Sequence, residues 1–265
     1  MYPYRYHRPG TVAEAESLLA SDEEARPLAG GMSLIPVMKH RLAAPSDLVD
    51  LAALGDLAGV SAEPGVLTIG AMTRHAAVAA SETVREVIPA LGNLAGGIGD
   101  PLVRNRGTIG GSLANNDPAA CYPSAVLALD AEVVTTRRRV AAGDFFLGMF
   151  QTALEPGELI VEVRFPIPAA ASYRKFPNPA SRFSIVGVFL ARFADRTVRV
   201  AVTGAGPCVF RVEPFERALA GSFSADSLAG LSVPADGLTD DLHGSAAYRA
   251  HLIGVLTEDA VAECL

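Results

Sequence analysis

The sequence predicts an α+β protein of three successive units, two small α/β units followed by an antiparallel sheet with helices on one side. Three observations carry this prediction. Short apolar runs alternate with helix-patterned stretches as far as residue 168, and two long β-rich runs joined by a tight turn follow later. Between them Pro166, Pro168 and the small residues 169–172 form a linker. The expected divisions are 1–55, 56–168 and 169–265.

In the first unit, Thr11 and Glu14 of "TVAEAESLLA" make a capping box, and Val12, Ala15, Leu18 and Leu19 share one helical face. A helix over 11–20 follows. "RPLAGG" and "DLVDL" read as brief strands, and Pro36 and Pro45 confine any helix in "MSLIPVMKHRLAAP" to its middle. The second unit opens with the strand "VLTIGAMT" at 66–73 and continues through a helix near 81–95. Asp117 is expected as N-cap, with Pro118 at N1, of a helix running to about Leu129. "AEVVTT" and the alternating "GELIVEVRFPIP" supply further strands. In the third unit "FSIVGVFLARF" and "TVRVAVTGAG", joined by "ADR", form a hairpin, and "SAAYRAHLIGVLTEDAVAECL" is helical.

Composition bounds the function. Half the 265 residues are hydrophobic and 19% are charged, which is ordinary globular usage. With 22 Lys+Arg against 29 Asp+Glu the net charge is −7, so no basic field exists to attract nucleic acid. No apolar run reaches the roughly 20 residues of a membrane span, and "MYPYRYHRPG" lacks a signal-peptide pattern; a cytoplasmic location is expected. Cys121, Cys208 and Cys264 are too few and too scattered for a disulfide framework or a CxxC zinc site. An iron–sulfur cluster takes four thiolates, so this chain does not build one alone.

Two glycine pairs occupy similar contexts: Gly30-Gly31 in "PLAGGMSL" and Gly110-Gly111 in "GTIGGSLAN". A glycine pair turns through positive φ without side chains, so successive N–H groups converge on an anion and a flat or phosphorylated ligand approaches the backbone. Ser33 and Ser112 add hydroxyl donors. Neither pair is a Rossmann GxGxxG or a P-loop, and either alone is more often a plain turn. Asp100, Arg104 and Arg106 surround the second pair; the arginines suit phosphate or plain solvation. His75 lacks a partner at metal spacing, Cys121 reads as a reactive thiol or a small buried residue, and no Ser/His/Asp or Cys/His nucleophile pattern is present. The residues alone describe a ligand-binding protein without naming its chemistry.

At these segments the sequence resembles the FAD-binding medium subunit of the molybdenum hydroxylases, the xanthine dehydrogenase and aerobic carbon monoxide dehydrogenase family. "AGGMSLIPVMKHRLAAPSDLVDL", "GDPLVRNRGTIGGSLANNDPAA", "TALEPGELIVEVRFP" and "KFPNPASRFSIVGVF" are similar to its motifs and stand in its order. Similarity is greatest to the carbon monoxide dehydrogenase medium subunit and extends into the third unit through "VRVAVTGAG" and "VPADGL".

The resemblance implies an FAD-binding fold of the p-cresol methylhydroxylase type, two subdomains holding FAD between them and a C-terminal domain covering part of it. It places the first cofactor loop at Ala29, Gly30, Gly31, Met32 and Ser33, flanked by Pro27, Leu28 and Leu34, and the second at Thr108, Ile109, Gly110, Gly111 and Ser112. Backbone N–H groups of both loops would take the diphosphate. Lys175 matches a lysine that approaches the flavin in relatives. Cys121 stands where the family usually has an aspartate that helps position the cofactor. The implied role is electron transfer: a large molybdenum-cofactor subunit oxidises substrate, a small subunit with two 2Fe-2S clusters relays electrons, and FAD on this chain passes them to an external acceptor. The implied assembly is a dimerised heterotrimer. Its alternatives are a free-standing flavin oxidoreductase and a cofactor-free scaffold that has lost FAD.

Overall fold

The computed structural model describes residues 1–265. A three-stranded parallel sheet opens the chain, built of β1 (Arg5–His7), β2 (Arg26–Leu28) and β3 (Asp47–Asp50) in the order β1-β3-β2. β1 has too few residues to show alternation in the sequence. It is tied down by Asp47, whose carboxylate accepts from Arg5 Nη2 at 2.6 Å and lies 2.6 Å from His7 Nε2; the guanidinium holds that carboxyl well below its usual range. Helix α1 (Val12–Ala20) has the expected cap. Thr11 Oγ1 accepts the Glu14 N–H at 3.2 Å, and the Glu14 carboxylate accepts the Gly10 N–H at 2.8 Å. Helix α2 (Leu34–Lys39) begins earlier than expected and includes Pro36, because the ring falls in the first turn, where no N–H is needed.

The next part is an antiparallel sheet with helices inserted in its middle. Its strands are β4 (Val60–Glu63), β5 (Val66–Gly70), β6 (Glu132–Thr135) and β7 (Arg139–Ala141). A small hairpin, β8 (Phe146–Gly148) and β9 (Gln151–Thr152), precedes β10 (Ile160–Pro166), which sits at the centre of the order β4-β5-β10-β6-β7. Between β5 and β6 run α3 (His75–Ala80), α4 (Glu82–Val87), α5 (Pro89–Gly96), α6 (Pro101–Arg106), α7 (Ile109–Asn115) and α8 (Tyr122–Ala128). The single helix expected near 81–95 is two, divided at Ile88, because Pro89 has no N–H to continue the ladder and starts α5 instead. α9 (Ala142–Phe145) closes the second core with Phe145 fully buried.

Two expectations in this stretch are corrected. Gly110-Gly111 is not an open loop; it is the first turn of α7, capped by Thr108, whose Oγ1 accepts the Gly111 N–H at 3.1 Å. Asp117 does not start a helix. Its carboxylate accepts the Ala119 N–H in a tight turn, and the turn's carbonyls are taken from outside. Thr203 Oγ1 donates to Pro118 O at 2.9 Å and to Ala120 O at 2.6 Å, and the Gly204 N–H donates to Pro118 O. Those carbonyls are not free for a helix, which begins only at Tyr122.

The last sheet runs in chain order, all antiparallel: β11 (Ala170–Pro177), β12 (Ser184–Arg192), β13 (Val198–Thr203) and β14 (Phe210–Arg211). α10 (Glu213–Gly221) and α11 (Ala246–Glu263) cover one face. The other face lies on α5 and α8, so β12 is buried on both sides. Val186, Val188 and Leu190 pack with Phe215 and Ile253 under the helices, while Phe189 and Ala191 join the core around β5 and α8. No helix is long and apolar enough to cross a membrane.

Candidate cofactor site

The three sheets meet at one large cavity of about 760 Å³, within the usual range of ligand pockets, roughly 300–1,000 Å³. It is walled by the β2–α2 connection, by the segment around α6 and α7, and by Lys175 with residues 180–183 from the last sheet. Fourteen of the fifteen residues expected at the site line it. The exception is Ile109, which is fully buried in the core.

The β2–α2 connection has an exposed backbone. None of the six consecutive N–H groups from Ala29 to Leu34 donates a hydrogen bond within the chain. Gly31 adopts φ +71°, which favours glycine, and the loop is pressed against its neighbour: a Cβ on Gly30 would lie 2.1 Å from the Arg106 carbonyl oxygen. This cradle, with its unspent donors, fits an anionic diphosphate.

The second pair is wired differently. Ile109 N–H donates to Thr73 O, Gly110 N–H to Ala71 O at 2.8 Å, Gly111 N–H to Thr108 Oγ1 and Ser112 N–H to Thr108 O. The expectation that this backbone also takes the diphosphate is therefore corrected: its N–H groups are spent on the cap and on the end of β5. Glycine is needed here for packing. A Cβ on Gly110 would fall 2.6 Å from Ala71 Cβ, and one on Gly111 3.3 Å from Ala29 Cβ, so the pair brings α7 against the first loop. The Ser33 and Ser112 hydroxyls make no bond within the chain and remain free as donors.

The far wall carries the titratable groups. Lys175 Nζ on β11 donates to Gly97 O at 2.9 Å and to Cys121 Sγ at 3.5 Å. Cys121 is buried, its sulfur 3.5 Å from Ser184 Oγ, which in turn lies 3.3 Å from the Tyr173 hydroxyl. Burial, reinforced by the neighbouring Cys121, pushes the Tyr173 hydroxyl well above its ordinary pKa. His75, at the start of α3, is lowered from 6.5 to about 4 by burial and by the Arg104 charge, so its ring is neutral at neutral pH. Its Nδ1 is buried without a partner, as is the hydroxyl of Tyr122; the two ring centres lie 5.3 Å apart.

The charged residues around the second pair are structural. Asp100 caps α6 by accepting the Val103 N–H, and Arg104 Nη1 donates to the carbonyls of Ile98 and Gly99. Arg106 contributes its carbonyl to the seat of Gly30. Sequence reasoning missed Ser181, Arg182 and Phe183 as lining residues; their one signal was their position inside the motif that begins at Lys175. No three His, Cys, Asp or Glu side chains converge on a metal-sized site. The arrangement offers a ligand backbone donors and one lysine.

Fold and site thus define a protein with a cavity suited to a phosphate-bearing cofactor, set between a loop of unspent backbone donors and a wall from a separate sheet. The family described as FAD binding domain in molybdopterin dehydrogenase matches residues 2–168, and the chain belongs to it. The chain is 35% identical over 274 residues to the carbon monoxide dehydrogenase medium chain of Afipia carboxidovorans, covering 97% of this chain and 95% of that one. It is 35% identical over 272 residues to the 6-hydroxypseudooxynicotine dehydrogenase complex subunit alpha of Paenarthrobacter nicotinovorans, covering 96% and 92%. Among solved structures, the reconstituted CO dehydrogenase of Oligotropha carboxidovorans superposes with a TM-score of 0.90 at 33% identity, covering 99% of this chain and 97% of that one. The chain is an FAD-binding medium subunit of the molybdenum hydroxylase family, the flavoprotein component of an oxidoreductase.

Proposed function

We propose that this chain receives electrons from the 2Fe-2S clusters of a small partner subunit and delivers them to an external acceptor, within a dimerised heterotrimer whose large subunit carries the molybdenum cofactor and selects the substrate. The observation that supports it most is the run of unspent N–H groups from Ala29 to Leu34 facing the cavity. In this reading those groups bind the diphosphate, with the Ser33 and Ser112 hydroxyls as added donors. Gly30, Gly31 and the packed pair Gly110-Gly111 let the first loop and α7 close together. Cys121 and Lys175 then face the ring end, and the neutral His75 lines the same cavity without adding charge. FAD, when bound, supplies an exchange of single electrons and electron pairs; the protein orients it and sets its electrostatic surroundings.

The same reading divides the chain as a fold of the p-cresol methylhydroxylase type, with FAD-binding subdomains at 1–55 and 56–168 and a C-terminal domain at 169–265. The test is purification of the chain with its native partners. The expected result is one FAD per chain released on denaturation, copurifying subunits that contain molybdenum and iron–sulfur, and flavin reduction that requires them. Colourless protein that releases no FAD even after added FAD would overturn the reading, and full turnover by the isolated chain would replace it with a free-standing flavin oxidoreductase.

A further inference from the structure

Lys175 reaches from β11 to the opposite wall of the cavity, where its ammonium meets the Gly97 carbonyl at 2.9 Å and the Cys121 sulfur at 3.5 Å. No carboxylate lies within 4.0 Å of it, whereas Arg138 pairs with Glu158, Arg211 with Glu216 and Arg249 with Asp241. The groups beyond the sulfur, Ser184 and Tyr173, are hydroxyls. The ammonium's own partners are thus a carbonyl and a thiol, with hydroxyls behind them, and none of these groups is an anion. A half-buried ammonium without an anionic partner attracts any negative charge that enters the cavity. In the proposed function the Ala29–Leu34 loop serves the diphosphate and Lys175 faces the ring end of the cavity, and a flavin ring becomes more negative when it takes up electrons.

We infer that Lys175 is a positioning and tuning residue for the ring: its charge favours the electron-rich form, and Cys121 keeps that charge free because a thiol occupies the place where a carboxylate would cancel it. The inference rests on FAD occupying this cavity. A favourable charge a few ångströms away at a partly buried site is worth on the order of tenfold or more in an equilibrium. Sulfite is the probe, because it adds to the oxidised ring through its own electron pair and leaves negative charge on the ring, so its affinity reports the same charge as the midpoint potential.

The experiment uses the FAD-loaded complex and its Lys175→Met, Lys175→Arg, Cys121→Asp and Cys121→Ser variants. FAD per chain, sulfite affinity from bleaching of the visible flavin band, and midpoint potential from dye equilibration are measured on each. Lys175→Met is expected to weaken sulfite binding by about tenfold or more and to lower the potential, with Lys175→Arg restoring both. Cys121→Asp shifts both in the direction of Lys175→Met, whereas Cys121→Ser stays near wild type. Unchanged sulfite affinity in FAD-replete Lys175→Met protein, or Cys121→Asp indistinguishable from Cys121→Ser, would overturn the inference while leaving FAD binding intact. A wild-type chain that holds no FAD would overturn the cavity assignment, and the inference with it.

Discussion

Gly30-Gly31 and Gly110-Gly111 look alike in the sequence and lie side by side in the structure, yet their backbones do different work. In the first pair and its flanks the N–H groups are unspent and the turn is seated on the Arg106 carbonyl. In the second, each N–H is committed to Thr108 or to the end of β5, and the missing side chains make room for Ala71 and Ala29. The comparison teaches that glycine serves two needs, exposing donors to a ligand and letting elements approach, and that only the hydrogen-bond partners tell them apart.

Substitution by alanine sets the two pairs most sharply against each other. Gly30→Ala places a methyl 2.1 Å from a carbonyl oxygen, and the loop must lift; the expected cost of about 3 kcal/mol falls on FAD, roughly a hundredfold in Kd, with the thermal midpoint of the apoprotein little changed. Gly110→Ala collides with Ala71 inside the fold, so a similar loss of about 3 kcal/mol appears as lowered apoprotein stability in urea. If both variants lose FAD and stability in equal proportion, the distinction collapses.

Acid gives a second contrast. His75 donates its backbone N–H to Gly107 O just before α7, and its ring abuts Gly107. Because its folded pKa of about 4 lies below the ordinary 6.5, the unfolded chain binds the proton more readily; stability is full above pH 6.5 and is lost as pH falls toward 4, by a few kcal/mol. Hydrogen exchange should show α7 opening over this window while α1 stays protected, and His75→Gln should flatten the slope. A slope unaltered in that variant places the acid sensitivity elsewhere.

Smaller effects refine the picture. Thr108→Ala removes the cap of α7 and should cost about 1 kcal/mol of stability, read in urea, with a lesser effect on FAD. Ser33→Ala removes a free hydroxyl and should weaken FAD only several-fold, about 1 kcal/mol, by equilibrium titration, with no change in stability. A larger stability effect for Ser33→Ala than for Thr108→Ala would reverse the assignment of the two segments.

Features set by neighbours in sequence were readable before the structure. The Thr11 cap, the paired strands β12 and β13, the first glycine turn and the final helix depend on contacts within a few residues or on simple alternation. The misread features are those decided from far away. The glycines that weaken α7 by local propensity are overruled by Thr73 and Ala71, and the N-cap pattern at Asp117 is overruled by Thr203 and Gly204. Most residues at the cavity were found through the resemblance, because their side chains carry little chemistry; Ser181 to Phe183 enter it only because β11 and β12 fold back across Gly97 and Cys121.

Strand β12 divides its side chains between two cores, with Phe189 and Ala191 against α8 and Val186 and Val188 under α10 and α11. During synthesis the chain emerges from its N-terminal end, so the earlier segments appear long before β12 and the final helix that backs it. The wall bearing Lys175 is completed only when those last elements dock, so the whole cavity exists only once the last part of the chain has been made.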